Sequence, residues 1–226
     1  MLAPIDSDLS IRFYRYAKND AVILMKALLV AQFKYMGRYQ VDITTIFSTA
    51  SLAMKVYLSK FMPENINTIP ILSRSTDEFV RKGYLGGATD FYKPYGEYLK
   101  SYDINSLYPY AQCKEMPYEC LGFRTGLDYK ALEGTNTFFG FIKAHIEVPA
   151  STEKPMLPYR YGGKTIFPTG QWIGTYFSEE LKAVQELGYK IRPIEGYEFS
   201  KKVLFENFIH HFYDIKKIVV KIHLND

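Results

Sequence analysis

The sequence is poor in cysteine, and this limits how the chain can be stabilised. Its 226 residues include two cysteines, Cys113 and Cys120. Two thiols cannot form the disulfide framework of a small secreted domain, and they lack the nearby Cys or His partners that a zinc site needs. We therefore expect two reduced thiols and a fold held together by its core.

The sequence also lacks a long uninterrupted apolar run. The most apolar stretch, 21–33, is interrupted by Lys26 and Gln32, whereas a membrane span needs roughly 18 to 20 apolar residues. The first residues, Met1–Asp6, have no basic segment followed by an apolar one. We therefore expect no secretory signal and no membrane partner.

A strong excess of one charge is missing as well. The formal net charge of +4 permits a polyanionic partner but does not by itself indicate one. Apolar residues make up 47% of the chain, which includes 20 Tyr and 16 Phe. This composition is typical of a globular protein whose core is rich in aromatic rings.

Apolar spacing predicts three helices. They cover Asn19–Met36, Leu52–Phe61 and Leu204–Lys217, where apolar residues recur at intervals of three and four. The first is expected to end near Gly37, and Pro63–Pro70 is expected to connect the second to the rest of the chain.

The second half of the chain has the patterns of strands and turns. Gly140–Val148 alternates apolar and polar residues, which predicts a half-exposed strand. Gly162-Gly163 predicts a tight hairpin within Tyr159–Phe167. Ser178 is expected to cap a helix, with Glu179 and Glu180 in its first turn and Gly188 beyond its end. Further strands are predicted over Tyr98–Ile104, Gln171–Phe177 and Tyr189–Phe199.

The run Asp103-Ile104-Asn105-Ser106-Leu107-Tyr108-Pro109 carries a recognisable chemistry. The Asp103 carboxylate and the Ile104 carbonyl are oxygen ligands of the kind that hard divalent cations prefer. Backbone N–H groups near Ser106 and Leu107 can face triphosphate oxygens, and the Tyr108 ring can lie under a sugar. The combination suits nucleotide transfer, and the alternative is a surface turn that matches by chance.

This run resembles the palm motif of family B DNA polymerases, Asp-x-x-Ser-Leu-Tyr-Pro. The resemblance implies that Asp103 is catalytic and binds Mg²⁺ together with Ile104. It also implies that Ser106, Leu107 and Tyr108 bind the nucleotide, with the tyrosine excluding ribonucleotides. Nucleotide transfer uses two metal ions roughly 4 Å apart, so at least one further carboxylate is required.

An earlier segment, Tyr84-Leu85-Gly86-Gly87, resembles the Tyr-x-Gly-Gly motif that precedes the palm in this family. The resemblance implies that Tyr84, Gly86 and Gly87 bind DNA, because glycines let a nucleic acid backbone approach closely. Taken alone, such a glycine pair also fits an ordinary turn.

A third match, Tyr16-Ala17-Lys18-Asn19-Asp20, resembles the Tyr-x-x-x-Asp motif of the 3′–5′ proofreading exonuclease. The resemblance implies that Asp20 binds metal and that the Tyr16 hydroxyl orients the attacking water. Their spacing stacks them on one helical face. The alternative is that Asn19 or Asp20 merely caps the helix that follows.

Downstream residues resemble the segment between palm motif and fingers in mitochondrial-plasmid members of the family. In phage members, part of this interval contacts a terminal protein that primes synthesis, so such a partner is expected. The same residues also fit ordinary core aromatics and a solvated lysine. They are Pro158-Tyr159-Arg160, Phe167-Pro168, Gly170, Trp172, Ser178, Glu180-Leu181, Phe205, Phe208-Ile209, Tyr213 and Lys216.

The resemblance implies an α+β fold divided in two. Residues 1–70 are expected to be the C-terminal helices of an exonuclease-like domain with its linker. Residues 71–226 are expected to be the first part of a polymerase palm, with an insertion rich in antiparallel strands that leads towards the fingers. The fingers motif, the Asp-Thr-Asp palm motif and two exonuclease motifs are not found. We therefore expect an internal fragment that neither polymerises nor proofreads alone.

The implied partners are primer-template DNA, deoxynucleoside triphosphates and the terminal protein. Abundant Lys, Ile, Tyr, Phe and Asn suit an AT-rich genome, so a mitochondrial, organelle-encoded protein is expected, with a phage or viral origin as the alternative. Two rival functions stay open. One is a catalytically inactive remnant that binds DNA or terminal protein, and the other is an unrelated α+β enzyme with chance motifs.

Overall fold

The computed structural model describes residues 8–66, 68–87, 93–133 and 138–223. The chain divides into two compact units, Met1–Ile66 with Asn207–Asp226, and Asn67–Glu206. The α-helices are α1 Asp8–Tyr39, α2 Thr49–Lys60, α3 Arg74–Lys82, α4 Leu107–Gln112, α5 Ser178–Gln185 and α6 Glu206–His223. The strands are β1 Glu115–Thr125, β2 Gly140–Val148, β3 Tyr159–Tyr161, β4 Lys164–Ile166, β5 Gly170–Phe177 and β6 Lys190–Val203. Short 3-10 helices cover Ile43–Thr45 and Tyr129–Ala131.

The first unit is helical and has a small aromatic core. Tyr39 and Val56 are buried there, and Phe208 and Phe212 of α6 pack against them. The Tyr39 hydroxyl and His211 Nε2 form a hydrogen bond of 2.8 Å. The apolar stripe predicted for the last helix is therefore confirmed by the rings that it contributes to this core.

Helix α1 is longer than its predicted span, Asn19–Met36. Because it already includes residues from Asp8 onward, Asn19 and Asp20 lie in its interior. The alternative that one of them caps the helix is therefore wrong, since a capping residue must precede the first helical turn. None of the described helices is long and apolar enough to cross a membrane.

The second unit contains an antiparallel sheet with the strand order β1-β6-β2-β5. The alternation predicted over Gly140–Val148 is confirmed: Ile142, Ala144 and Ile146 are each 0% exposed. The residues between them are only half-buried. One face of the central strand thus forms the core, while the other carries polar groups.

Helix α5 covers the apolar face of this sheet. Leu181 and Val184 pack with the buried residues of β2 and with Trp172 and Tyr176 of β5. The prediction that Ser178 caps this helix is wrong, because Ser178 is its first helical residue. Its buried hydroxyl instead accepts a hydrogen bond of 3.2 Å from the Gly140 N–H.

The glycine hairpin is confirmed. Strands β3 and β4 pair antiparallel, with Tyr159 opposite Ile166. Gly162 and Gly163 join them with φ angles of 56° and 79°. Positive φ at both central residues is the geometry of a type I′ turn, which favours glycine.

Three elements differ from the sequence predictions. Residues 98–104 form neither helix nor strand, and all are exposed, so the strand predicted over Tyr98–Ile104 is wrong. Strand β1 was not predicted and pairs along β6. Helix α3 was also not predicted; the Ser73 side chain caps it by accepting a hydrogen bond of 3.3 Å from the Thr76 N–H. Strand β1 depends on a distant partner strand that the local pattern does not specify, whereas the Ser73 cap of α3 is adjacent in sequence.

The buried position of Leu181 gives a test of this packing. We expect Leu181→Ala to lower the free energy of unfolding by about 2 to 5 kcal/mol, because it opens a cavity against the sheet. Denaturation followed by Trp172 fluorescence reports on this unit, since Trp172 is the single tryptophan of the chain. Leu187→Ala is the control, because Leu187 is 56% exposed. Equal losses in both variants would contradict the packing of α5.

Candidate functional site

Two segments that are distant in sequence line one pocket in the second unit. This pocket, of about 400 Å³, is lined by residues of the loop that follows α3 and by Tyr108 of α4. The structure therefore brings Tyr84, Gly86, Gly87 and Tyr108 together. We call this cavity the loop pocket. Its lining residues are Gly83, Tyr84, Leu85, Gly86, Gly87, Tyr108, Pro158 and Glu180.

The loop is positioned by the end of helix α3. At Gly83, a Cβ atom would lie 3.0 Å from the Phe141 ring and 3.4 Å from the Thr175 carbonyl oxygen. Glycine therefore allows the helix end to rest directly on β2 and β5. The Tyr84 N–H still donates to the Arg81 carbonyl oxygen at 3.2 Å, so the loop begins as a continuation of the helical turn.

Ser106 sets the position of Tyr108. Its φ and ψ angles are 56° and 42°, a left-handed conformation that is uncommon for a residue other than glycine. Its carbonyl oxygen accepts a 2.9 Å hydrogen bond from the Tyr110 N–H, which closes the first turn of α4. The sharp change of direction brings the Tyr108 hydroxyl within 2.9 Å of the place that a Cβ would take at Gly87.

Glu180 is the acidic group of the loop pocket, a placement that the sequence did not predict. The side chain is solvent exposed as a whole, but the protein around its carboxyl group raises the pKa of Glu180 by desolvation. A 3.3 Å hydrogen bond from the Phe177 N–H acts in the opposite direction. The sequence indicated that Glu180 lies in a first helical turn and in the segment that resembles the interval before the fingers, but not that it lines a pocket.

Asp103 and Ile104 lie just before this turn and do not line the loop pocket. Both are exposed, Ile104 by 67%. Within the described ranges, no group of three His, Cys, Asp or Glu side chains could hold a metal ion. Asp103 and Ile104 supply the oxygen donors that Mg²⁺ prefers, so they fit as one part of such a site. Their role in metal binding stays a prediction.

Tyr16 and Asp20 lie in the other unit, one helical turn apart on α1. Both side chains are exposed, Tyr16 by 65%. Residues at this spacing are neighbours on a helix surface, as the predicted exonuclease motif requires. Their functional role stays a prediction as well.

A family model for DNA polymerase type B, organellar and viral, matches residues 4–222. The chain is 33% identical over 219 residues to a probable DNA polymerase of Neurospora intermedia, covering 93% of this chain and 22% of that protein. It is also 33% identical over 228 residues to a probable DNA polymerase of Podospora anserina, covering 96% and 18%. The chain thus spans about a fifth of the length of these curated relatives.

Solved structures show the same fold. Phi29 DNA polymerase complexed with primer-template DNA and incoming nucleotide matches with a TM-score of 0.65 and 21% identity, over 96% of this chain and 39% of that one. The complex of the same polymerase with single-stranded DNA gives a TM-score of 0.67 and 22% identity, over 96% and 38%. At this identity the likeness shows the fold alone. It confirms the predicted α+β class.

The two loop glycines should respond differently to substitution. Gly86→Ala is expected to cost about 1 to 2 kcal/mol, because Gly86 has a φ of 76°. Gly87→Ala should change the free energy of unfolding by less than about 0.5 kcal/mol. The new Cβ atom would meet only the hydroxyl end of the Tyr108 side chain, which is 71% exposed and can move aside. Urea denaturation measures both. A large loss for Gly87→Ala would mean that Tyr108 cannot move aside.

Proposed function

Since the chain belongs to the organellar and viral type B DNA polymerases, we propose that it forms part of the palm of a DNA-directed DNA polymerase. The observation that supports this most is the loop pocket, which Tyr84–Gly87 and Tyr108 line together. An incoming nucleotide pairs with a template base, so the groups that contact each must be neighbours. The family membership also excludes an unrelated enzyme with chance motifs.

In this proposal, Tyr108 selects the sugar of the incoming nucleotide. Its ring is exposed in the loop pocket, where it can lie under a deoxyribose and clash with a 2′-hydroxyl. The left-handed Ser106 starts helix α4, and the first N–H groups of a helix have no partners within it. The N–H groups around Ser106 and Leu107 can therefore donate hydrogen bonds to triphosphate oxygens.

Asp103 is the proposed catalytic residue, binding Mg²⁺ with the Ile104 carbonyl. When bound, the two ions of such a site activate the attacking 3′-hydroxyl and stabilise the leaving pyrophosphate. The described residues gather no group of three metal-ligating side chains. Asp103 therefore needs carboxylates beyond those that the described residues gather around it, and we propose that the chain alone does not polymerise.

The loop Tyr84–Gly87 is the proposed contact with primer-template DNA. Gly86 has a φ of 76°, and neither Gly86 nor Gly87 has a side chain to keep a sugar-phosphate backbone away. In the other unit, Tyr16 and Asp20 are the proposed remnant of the proofreading exonuclease, with Asp20 as a metal ligand. Their exposure on α1 leaves room for the carboxylates that this chemistry also needs.

We further propose a mitochondrial, plasmid-type polymerase whose synthesis is primed by a terminal protein. The organellar and viral description of the family and the fungal relatives support this location. The likeness of fold to the phi29 enzyme supports protein priming. A phage or viral origin is the alternative.

A second candidate function is binding without catalysis. The described residues gather no group of three side chains that could hold a metal ion, which favours it. In that case the chain is an inactive remnant that holds DNA or a terminal protein. Both candidates predict salt-sensitive DNA binding, so only reconstituted synthesis separates them.

The decisive test is reconstitution of primer extension. The chain is mixed with a separately expressed polypeptide that carries the fingers and Asp-Thr-Asp motifs, together with Mg²⁺, primer-template and deoxynucleotides. We expect synthesis with the natural chain and a loss of at least about a hundredfold with Asp103→Asn, as for removal of a charge-stabilising group. Asp128→Asn is the control, because Asp128 is exposed and only caps a short 3-10 helix.

Three results are informative. Synthesis that depends on Asp103 supports the polymerase. DNA binding without synthesis in any mixture favours the inactive remnant. Full synthesis by Asp103→Asn would show that another residue carries out the proposed role.

Tyr108 makes a separate prediction in the same mixture. Tyr108→Ala should lower the preference for deoxynucleotides over ribonucleotides by at least about tenfold in kcat/KM, which corresponds to about 1.4 kcal/mol. Tyr110→Ala is the control, since Tyr110 is a similarly exposed tyrosine of α4 outside the loop pocket. An unchanged preference in Tyr108→Ala would remove it from sugar selection.

A further inference from the structure

A second cavity adjoins the loop pocket at the edge strand β5, and residues from both faces of that strand line it. It has a volume of about 400 Å³ and shares Leu85 and Pro158 with the loop pocket. Lys82, Lys143 and Arg160 line it, together with a single carboxylate, Glu195. We call this cavity the basic pocket. The segment Pro158-Tyr159-Arg160, singled out in the sequence, lines it, but the sequence did not predict a pocket there.

The charges of the basic pocket are not neutralised within it. Glu195 is already paired with Lys143, whose Nζ lies 3.0 Å from its carboxylate oxygen. Lys82 and Arg160 are exposed. In the part of the chain that the structure describes, neither of them is recorded in an ion pair. The pocket therefore presents two available cations beside a fixed ion pair, which suits an anionic ligand.

The wall of the basic pocket that Pro158 and Tyr176 form is held in place by hydrogen bonds. Tyr176 is 1% exposed. Its hydroxyl accepts from Trp172 Nε1 at 2.8 Å and donates to the Pro158 carbonyl oxygen at 2.8 Å. Burial raises the pKa of Tyr176 to about 12, so the phenol stays neutral near pH 7. Because this wall is rigid, a ligand does not have to order it on binding.

Flat side chains lie beside the cations. Phe79 and Tyr159 line the same cavity, and the Tyr159 ring lies 5.7 Å from the Trp172 ring. Cationic side chains interleaved with aromatic rings are the usual surface for single-stranded nucleic acid, because the cations hold phosphates and the rings stack with bases. A small free anion such as phosphate would bind to the cations alone, so the rings favour a nucleic acid over such an anion.

We propose that the basic pocket binds the sugar-phosphate backbone of a single nucleic acid strand that continues from the loop pocket, with Lys82 and Arg160 contacting phosphates. The inference rests on the proposed function, in which that strand is the template. The shared walls Leu85 and Pro158 support the continuity of the path. The bound strand would thus extend beyond the nucleotide site along the edge strand β5.

The test is binding of a fluorescein-labelled oligodeoxythymidylate to the 226-residue chain over a series of salt concentrations. For Lys82→Ala/Arg160→Ala we expect an affinity at least about tenfold lower at low salt. The slope of log K against log salt should fall by about 1.4, because each phosphate contact with a single strand contributes about 0.7. Fluorescence anisotropy measures both quantities.

The matched control is Lys130→Ala/Lys190→Ala. It removes the same number of charges from exposed positions of the same unit, and neither lysine lines the basic pocket or the loop pocket. We expect less than about half of the slope change seen in the pocket variant. Thermal unfolding of both variants verifies that they are folded.

A second readout is specific to the site. Trp172 is the only tryptophan and lies against Tyr159, so its fluorescence should change when the natural chain binds the oligonucleotide. The change should be lost in Lys82→Ala/Arg160→Ala and kept in the control. Equal slopes in the two variants would overturn the proposal. Tighter binding of polyglutamate than of the oligonucleotide would also overturn it, in favour of an acidic protein partner.

The oligonucleotide-binding test and the primer-extension test can fail independently of each other. If reconstituted synthesis depends on Asp103 while the pocket variant binds the oligonucleotide normally, only the basic pocket assignment fails. If the pocket variant loses binding but no mixture synthesises DNA, the strand site stands and the polymerase proposal fails.

Discussion

The direct contact between Gly83 and the sheet is the constraint on which both pockets depend. A side chain at this position would meet the Phe141 ring and the Thr175 carbonyl oxygen. Because glycine removes that obstacle, helix α3 ends against β2 and β5, and the loop after it begins at a fixed place. Leu85 of that loop then faces both cavities. One close backbone approach thus positions a surface that extends from Tyr108 to the basic pocket.

One face of the sheet forms the core, and the other carries charged side chains. Alternation along β2 directs Ile142, Ala144 and Ile146 into the core under α5, while Lys143 points to the opposite face and pairs with Glu195 of β6. Apolar burial on one side stabilises the sheet by roughly 25 cal/mol per Å². That stability allows the other side to keep charges in partial contact with water, as a ligand-binding surface requires.

The helical unit is stabilised differently. Its core is a cluster of rings around Tyr39, with His211 as a hydrogen-bond partner. Much of α1 is apolar yet exposed, including Leu24 at 60% and Phe33 at 82%. Exposed apolar surface of this kind usually marks an interaction site.

The sequence by itself determined the elements whose patterns are local: the alternating strand β2, the glycine hairpin and the amphipathic stripe of α6. It also determined the family. The order and spacing of the loop glycines, Asp103 and Tyr108 can be recognised in the sequence without knowing what these residues contact in the fold. It could not determine strand β1 or the role of Ser178, since each depends on a partner, β6 and Gly140, that is distant in the chain. Only the tertiary structure placed Glu180 beside Gly86 and gathered Lys82 with Arg160. The walls of a pocket come from elements that are distant in sequence, and these elements meet only when the sheet and its helices pack.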